Sequence, residues 1–138
     1  MTIWKINAAD GSVAWTMNYG TAGTATGLES VSLLSDGGFV IGGYTDSPTG
    51  FGSFKSGGQI EGSKPFIAKI SQADAAGSTA PSSFAWTYSV SDNIGSTKSL
   101  RVDSSGKVYA LVGTHSRVVK LNADGTLDWD TGSIEAMT

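Results

Sequence analysis

One hairpin pattern recurs three times in this 138-residue chain, and it constrains the fold more than any other feature. In each copy a β-rich segment carries Lys at the same place, and a turn and a second strand containing Trp follow it. The lysines are Lys5, Lys69 and Lys120, and the tryptophans are Trp15, Trp86 and Trp129. In the first and third copies the Trp stands four residues after a turn glycine, Gly11 or Gly125. Self-similarity of this kind predicts a repeat architecture.

The rest of the chain has the same β-rich texture. Short apolar and β-branched runs alternate with turns that contain Gly beside Asp or Asn, which is typical of tight hairpins. No window keeps the helical spacing of apolar residues over three turns. The predicted strands are 2–7, 13–19, 28–34, 39–45, 66–71, 84–90, 97–102, 108–114, 117–122 and 127–131. The chain is therefore predicted to be all-β, with ten strands.

The order of the repeats divides the chain into units. A second pattern, strand, turn, apolar strand, Gly and Thr, occurs at 32–45 and again at 100–114. We therefore expect one β-repeat domain spanning 1–138, made of tandem four-stranded antiparallel blades. Its parts are an outer half-blade at 1–20, a blade at 28–90 with insertions at 46–64 and 73–83, and a blade at 97–133. This is a β-propeller-type arrangement of about two and a half blades, an incomplete ring.

The strands themselves predict which sheet faces are covered. The segments "FVIGGY" and "VYALVG" are apolar at consecutive positions, so both faces of these strands should be covered. The segment "LDWDT" alternates instead, with Asp128 and Asp130 on one face, as expected of an outer edge strand that charge protects. The three repeated tryptophans should be largely buried, while Trp4 stands outside the repeat position.

The segments "NAADGSVAW" and "NADGTLDW" resemble the docking motif of the PQQ-like β-propeller repeat. The segments "SDGGFVIGGYTDS" and "PFIAKIS" are also similar to repeats of bacterial propeller families of unassigned function. The resemblance implies that Trp15, Trp86 and Trp129 pack between blades. It also favours an extracellular, periplasmic or lumenal location. The middle copy departs from the motif, because its turn is expanded.

Composition excludes several functions. A net charge of −3 leaves no basic surface for nucleic acid, and no apolar run is long enough to span a membrane. Cys is absent, which removes disulfides, thiolate metal sites and the Cys pair that quinoprotein enzymes often stack on their cofactor. The one His, His115, lies in a tight connection and is interpreted as a polar turn residue. No catalytic motif or cofactor site is predicted.

Two features keep functional interest. The Gly-rich insertion carries aromatic and charged residues that could bind a sugar, namely Asp46, Phe51, Phe54, Lys55 and Glu61. Its alternative interpretation is a plain surface insertion. The repeated lysines favour a packing or strand-end role, with an anion site as the alternative.

The sequence thus predicts a non-catalytic structural or protein-interaction module, a segment of a larger repeat protein or a subunit of an assembly that covers its open faces. Its expected partner is protein, through self-association or neighbouring blades. Two alternatives stay open. One is a glycan-binding, lectin-like module that uses residues 46–64, and the other is a fragment of a PQQ-dependent dehydrogenase.

Overall fold

The computed structural model describes residues 1–19, 25–46, 64–90, 95–114 and 117–132. Its described elements are ten strands and one short helix. In chain order they are β1 (Thr2–Ile6), β2 (Val13–Asn18), β3 (Thr26–Leu33), β4 (Phe39–Thr45), β5 (Lys64–Ile70), α1 (Gln72–Ala76), β6 (Trp86–Ser89), β7 (Thr97–Val102), β8 (Val108–Val112), β9 (Arg117–Leu121) and β10 (Leu127–Asp130). Each strand falls on one of the ten predicted runs.

The strands form three antiparallel sheets in which sequence neighbours pair. Sheet 1 is β1–β2, sheet 2 is β3-β4-β5-β6, and sheet 3 is β7-β8-β9-β10. The sheets are not closed into a barrel. The predicted fold class, all-β with half a unit and two four-stranded antiparallel units in tandem, is confirmed.

The repeated Lys and Trp face each other across paired strands in every sheet. The three opposed pairs are Lys5 with Trp15, Lys69 with Trp86, and Lys120 with Trp129. Directly opposed residues on antiparallel strands project on the same face and interact. The repeat seen in the sequence is therefore a repeat of strand register.

Sheet 2 lies between the other two sheets. One apolar cluster joins its Val40, Ile67 and Trp86 to Val108 and Val119 of sheet 3. The opposite face of sheet 2 joins the side chains of sheet 1 in a second cluster, whose buried members are Ile3, Trp15, Met17, Ile41, Phe66, Ala68, Ile70 and Ala75. Strands β4 and β5 are thus buried on both faces, as the run "FVIGGY" predicts.

Sheet 3 departs from that expectation. Val108, Ala110 and Val112 of β8 are buried against sheet 2, but Leu111 on the opposite face is 37% exposed. The run "VYALVG" is therefore covered on one face only, because the described part of the chain places no further sheet over the other.

Strand β10 lies at the edge of sheet 3, as predicted. Asp128 and Asp130 bind different partners there. A register shift between Leu127 and Trp129 interrupts the alternation of the strand. Asp128 then binds Lys120, whereas Asp130 binds Arg117.

The helix α1 is an element that the sequence analysis does not predict. It lies in the insertion 73–83 and is a single turn, too short to express helical periodicity. Ser71 caps it by accepting a hydrogen bond from the Asp74 backbone N–H at 3.2 Å. Three alanines follow the cap, and Ala75 is buried in the cluster between sheets 1 and 2. The insertion therefore contributes to the core.

Candidate interaction surfaces

Trp86 joins sheet 2 to the last hairpin of sheet 3. Its indole Nε1–H donates to the carbonyl oxygen of Ala123 at 3.0 Å. The ring lies against Gly125, where an added Cβ would fall 2.5 Å from Cδ2 of the indole. Gly125 also has φ +82°, a left-handed conformation that glycine adopts freely. The indole therefore packs against this turn because Gly125 has no side chain.

The turn that receives Trp86 is held by an Asn-Asp network. The backbone N–H of Asn122 donates to Thr126 O at 2.8 Å, and its side-chain amide donates to Thr126 Oγ1 at 3.1 Å. Asp124 Oδ1 accepts from the N–H and the hydroxyl of Thr126 at 3.0 and 2.6 Å. These bonds fix the turn without help from the indole.

The first hairpin repeats this network. The backbone N–H of Asn7 donates to Ser12 O at 2.9 Å, and its side-chain amide donates to Ser12 Oγ at 2.9 Å. Asp10 Oδ1 accepts from the N–H and the hydroxyl of Ser12 at 3.0 and 2.7 Å. Both hydrogen bonds lower the pKa of Asp10, the backbone one most. Gly11 has φ +73°, but among the described residues nothing lies within 4 Å of where its Cβ would be. The backbone N–H of Gly11 closes this turn on Asn7 O at 2.9 Å, one residue further along than Gly125 closes on Asn122 O. The first hairpin therefore has a turn of similar side-chain hydrogen bonding, one residue longer, with open space at its glycine.

Trp15 is buried, at 5% exposure, as predicted. It belongs to the cluster between sheets 1 and 2, together with Ala75 of α1 and the adjoining Ala80 and Phe84. Lys5, opposite Trp15, donates through Nζ to the carbonyl oxygen of Gly77 at 3.0 Å. The expanded connection between β5 and β6 therefore takes the place that a tight turn takes beside Trp86.

Trp129 corrects the prediction that all three repeated tryptophans are buried. It is 42% exposed, against 7% for Trp86. Within the described residues, no hairpin turn of a following sheet lies over it. Its ring has Lys120 Nζ at 5.9 Å, and the same ammonium lies 5.3 Å from the ring of Tyr109. The indole therefore rests on its own sheet with its outer surface open. Trp4, outside the repeat position, is 64% exposed.

The repeated lysines each reach an oxygen of their own surroundings. Lys69 Nζ lies 3.7 Å from Asp36 Oδ2, and Lys120 Nζ lies 3.1 Å from Asp128 Oδ2. Hydrogen bonds from Lys120 and then from Lys107 lower the pKa of Asp128, and the bond to Asp128 raises the pKa of Lys120. These contacts agree with a strand-end role and give the anion-site alternative no support.

An apolar trough runs along the edge of β1. It has a volume of about 340 Å³ and is lined by consecutive residues of β1, by β4 and by the exposed face of β3. Because consecutive strand residues point to opposite faces, lining by Thr2, Ile3, Trp4 and Lys5 means that the trough borders the edge of β1. On β3, Leu33 is 77% and Val31 is 61% exposed. We name this surface the β1–β3 trough.

The candidate sugar-binding residues are only partly placed. Asp46 follows β4, and its backbone N–H donates to Ala25 O at 3.0 Å. Its Oδ1 is buried with no hydrogen-bond partner among the described residues. Phe51, Phe54, Lys55 and Glu61 lie outside the described residues, as does His115. The glycan-binding alternative stays a prediction.

The described residues offer no metal centre. No three side chains of His, Asp or Glu among them come together as ligands. The alternative of a PQQ-dependent dehydrogenase stays a prediction. In the same part of the chain, no helix is long and apolar enough to cross a membrane.

Sequence reasoning missed the β1–β3 trough. The available signal was the alternation within β3, where Val31 and Leu33 share a face with Ile41 and Phe39 of β4. That pattern predicts a covered face, and only the structure places half of that face in solvent.

No protein-family model matches the sequence. No curated protein matches it significantly either. The resemblance to PQQ-like repeats therefore stays a prediction.

Proposed function

We propose that this chain is a non-catalytic, β-propeller-type repeat module that binds protein at its open sheet surfaces, within a larger repeat protein or assembly. The observation that carries the proposal is the β1–β3 trough, where a strand edge with no partner strand among the described residues borders exposed apolar side chains. Extended segments bind such edges by adding a strand, with affinity from backbone hydrogen bonds and specificity from side-chain pockets.

The interface between sheets 2 and 3 indicates what would fill the trough. There the first strand of sheet 3 packs on sheet 2. Ser30 Oγ of β3 donates to Thr97 O at 3.1 Å, and Thr97 Oγ1 donates to Phe66 O of β5 at 2.8 Å. An added Cβ at Gly42 would fall 2.5 Å from Cγ2 of Thr97, so the strands pack closely. Sheet 1 packs on the other face of sheet 2, and among the described residues it has only two strands. The trough lies where two further strands would complete it.

Exposed apolar area supports the same conclusion. Leu28, Val31 and Leu33 are 38%, 61% and 77% exposed on one strand. Contiguous apolar surface of this kind marks interaction sites in stable proteins. A strand pair added to β1 would cover these side chains and give the edge its hydrogen bonds.

The test is to complete sheet 1 with the chain's own strands. A copy of residues 97–116, which precede β9 in sheet 3, is joined directly before Thr2. We expect a higher free energy of unfolding than in the unmodified chain, and weaker fluorescence of the apolar dye anilinonaphthalene sulfonate, because the graft covers the trough.

The matched control carries the same graft together with Val31→Ser and Leu33→Ser. It should gain less stability than the graft alone, measured against the ungrafted chain with the same substitutions. If the graft leaves both the unfolding free energy and the dye signal unchanged, the trough does not receive strands and the proposed function is wrong.

A further inference from the structure

We infer that Trp129 of one molecule docks onto the Asn7–Ser12 turn of a second copy, so that the chain associates head to tail. This inference rests on the proposed role as an interaction module and names its partner. The occupant of the open turn is the indole of another molecule of the same sequence.

The contact already exists once inside the molecule. Trp86, opposite Lys69 in sheet 2, donates to Ala123 O and lies against Gly125 of the next sheet. Trp129 holds the same register position opposite Lys120. Trp129 therefore occupies the position in sheet 3 that Trp86 occupies in sheet 2. Among the described residues, no turn lies over it.

The receiving turn is preformed at the other end of the molecule. The hydrogen bonds of Asn7, Asp10 and Ser12 reproduce those of Asn122, Asp124 and Thr126. Gly11 corresponds to Gly125, both with positive φ, and the space at Gly11 is open. By sequence position Ala9, which precedes Asp10, corresponds to Ala123, and in the proposed contact its carbonyl would accept the indole N–H. The turn is one residue longer than its counterpart, and the extra alanine lies before this carbonyl.

Both end sheets carry apolar surface that this contact would cover. Trp4, Ile6 and Val13 of sheet 1 are 64%, 50% and 55% exposed. Leu111 and Trp129 of sheet 3 are 37% and 42% exposed. An indole that fills a preformed seat, surrounded by apolar contacts that exclude water, is the typical composition of an interface hot spot.

The contact joins two different surfaces, so it is heterologous. Each added molecule then offers another free Trp129 and another free turn, and association continues unless the rotation closes a ring. We therefore expect the average mass to rise with concentration beyond twice the 14.1 kDa of the monomer.

Sedimentation and light scattering across a micromolar concentration series test the inference. Trp129→Ala should weaken association about thirtyfold or more, the loss typical of an aromatic hot spot. Gly11→Asn should weaken it similarly, because Asn tolerates positive φ while its side chain occupies the seat. Circular dichroism and a cooperative melt confirm that each variant is folded.

Mixing the two variants gives a sharper result. The Trp129→Ala protein keeps its turn, and the Gly11→Asn protein keeps its indole, so an equimolar mixture forms one productive contact per pair. We expect each variant alone to be monomeric and the mixture to stop at a dimer. A symmetric interface would not give this complementation.

Ser35→Ala is the control, since Ser35 is exposed in the turn between β3 and β4 of the middle sheet and lines neither the β1–β3 trough nor an end sheet. It should leave the mass series unchanged. Loss of association in Ser35→Ala, or association that Trp129→Ala leaves intact, would place the interface elsewhere. A wild-type chain that stays monomeric throughout would refute the inference, while the strand graft would still test the proposed function separately.

Discussion

The three repeated tryptophans show how one register position acquires different surroundings. Trp86 and Trp15 are 7% and 5% exposed, because a turn or an expanded connection of the next sheet covers each. Trp129 also stands opposite a Lys within its own sheet but is 42% exposed. The contribution of each tryptophan to stability should therefore depend on whether a neighbouring sheet covers it, and not on its position in the repeat.

The first prediction compares two of these tryptophans by truncation. Trp86→Ala should lower the free energy of unfolding by about 3–5 kcal/mol, as for other buried aromatic side chains. Trp129→Ala should cost less than about 1 kcal/mol, as for a substitution at the surface. Urea denaturation of dilute protein, where the chain is monomeric, measures both. Equal losses would contradict the assigned docking of Trp86.

The second prediction uses the two turn glycines as a matched pair. Both have positive φ, so Asn meets a similar backbone requirement at each. Only at Gly125 does a new side chain meet the Trp86 ring. Gly125→Asn should therefore cost about 1–3 kcal/mol more than Gly11→Asn, the usual range for overpacking. If both substitutions shift the urea midpoint of the dilute protein equally, the Trp86 seat is not a close contact.

At the element scale, the hairpin β4–β5 is closed by its own pairing. Thr45 opposes Lys64 at the end of the ladder, so the insertion begins and ends at adjacent positions. The strands are held below that point by pairs down to Phe39 with Ile70. The hairpin should not need the inserted residues to hold its register.

The third prediction follows from that closure. Replacing residues 47–63 by one Gly leaves Asp46-Gly, a dipeptide favoured in two-residue hairpin turns. The unfolding free energy should change by less than about 1 kcal/mol, because loop length has a weak entropic effect. Thermal and urea melts measure it. Loss of cooperative unfolding would mean that the insertion packs on the sheets.

The fourth prediction concerns the ion pair that ties edge strand β10 to β9. Arg117 donates to Asp130 at 2.7 Å, and this bond, aided by the N–H of Gly132, lowers the pKa of Asp130 below its usual 3.8. A lowered pKa in the folded state stabilises the fold above pH 3.8, and this stabilisation is lost as the pH falls through the lower value.

Asp130→Asn should therefore destabilise the chain more at about pH 6 than at about pH 2. Urea midpoints of wild type and variant at the two pH values measure the difference. An identical difference at both would show that the charge of Asp130 contributes nothing to stability.

At the scale of the whole molecule, the three sheets differ in how well they are supported. Sheet 2 is covered by sheet 3 on one side and partly by sheet 1 on the other. In the part of the chain that the structure describes, sheet 1 has two strands, and its β1 edge borders the trough. An isolated two-stranded ribbon is marginal in water, so the stability of sheet 1 depends on its packing against sheet 2.

The fifth prediction is that sheet 1 opens before the others. Native-state hydrogen exchange should give a lower opening free energy for the amides of β1 and β2 than for those of β4, β5, β8 and β9. The reason is that sheet 1 has two strands among the described residues, against four in each of the other sheets. Equal protection in all three sheets would contradict this order.

The sequence by itself determined the hairpins. Turn glycines beside Asp, the β-rich runs and the repeated Lys and Trp predicted ten strands, their antiparallel pairing and the grouping into half a unit and two units. This information is local, because a turn and its two flanking strands set their own register. The sequence did not predict the one-turn helix α1, because a single turn shows no helical periodicity.

Only the tertiary structure decided which faces are covered. Trp86 and Trp129 have the same local sequence role, yet the Asn122–Thr126 turn covers one and leaves the other open. Val31 and Leu33 alternate as core residues do, yet they lie in the trough. The physical reason is that burial depends on what packs against a strand from outside its sheet, and the strand's own residues do not encode whether that neighbour is present.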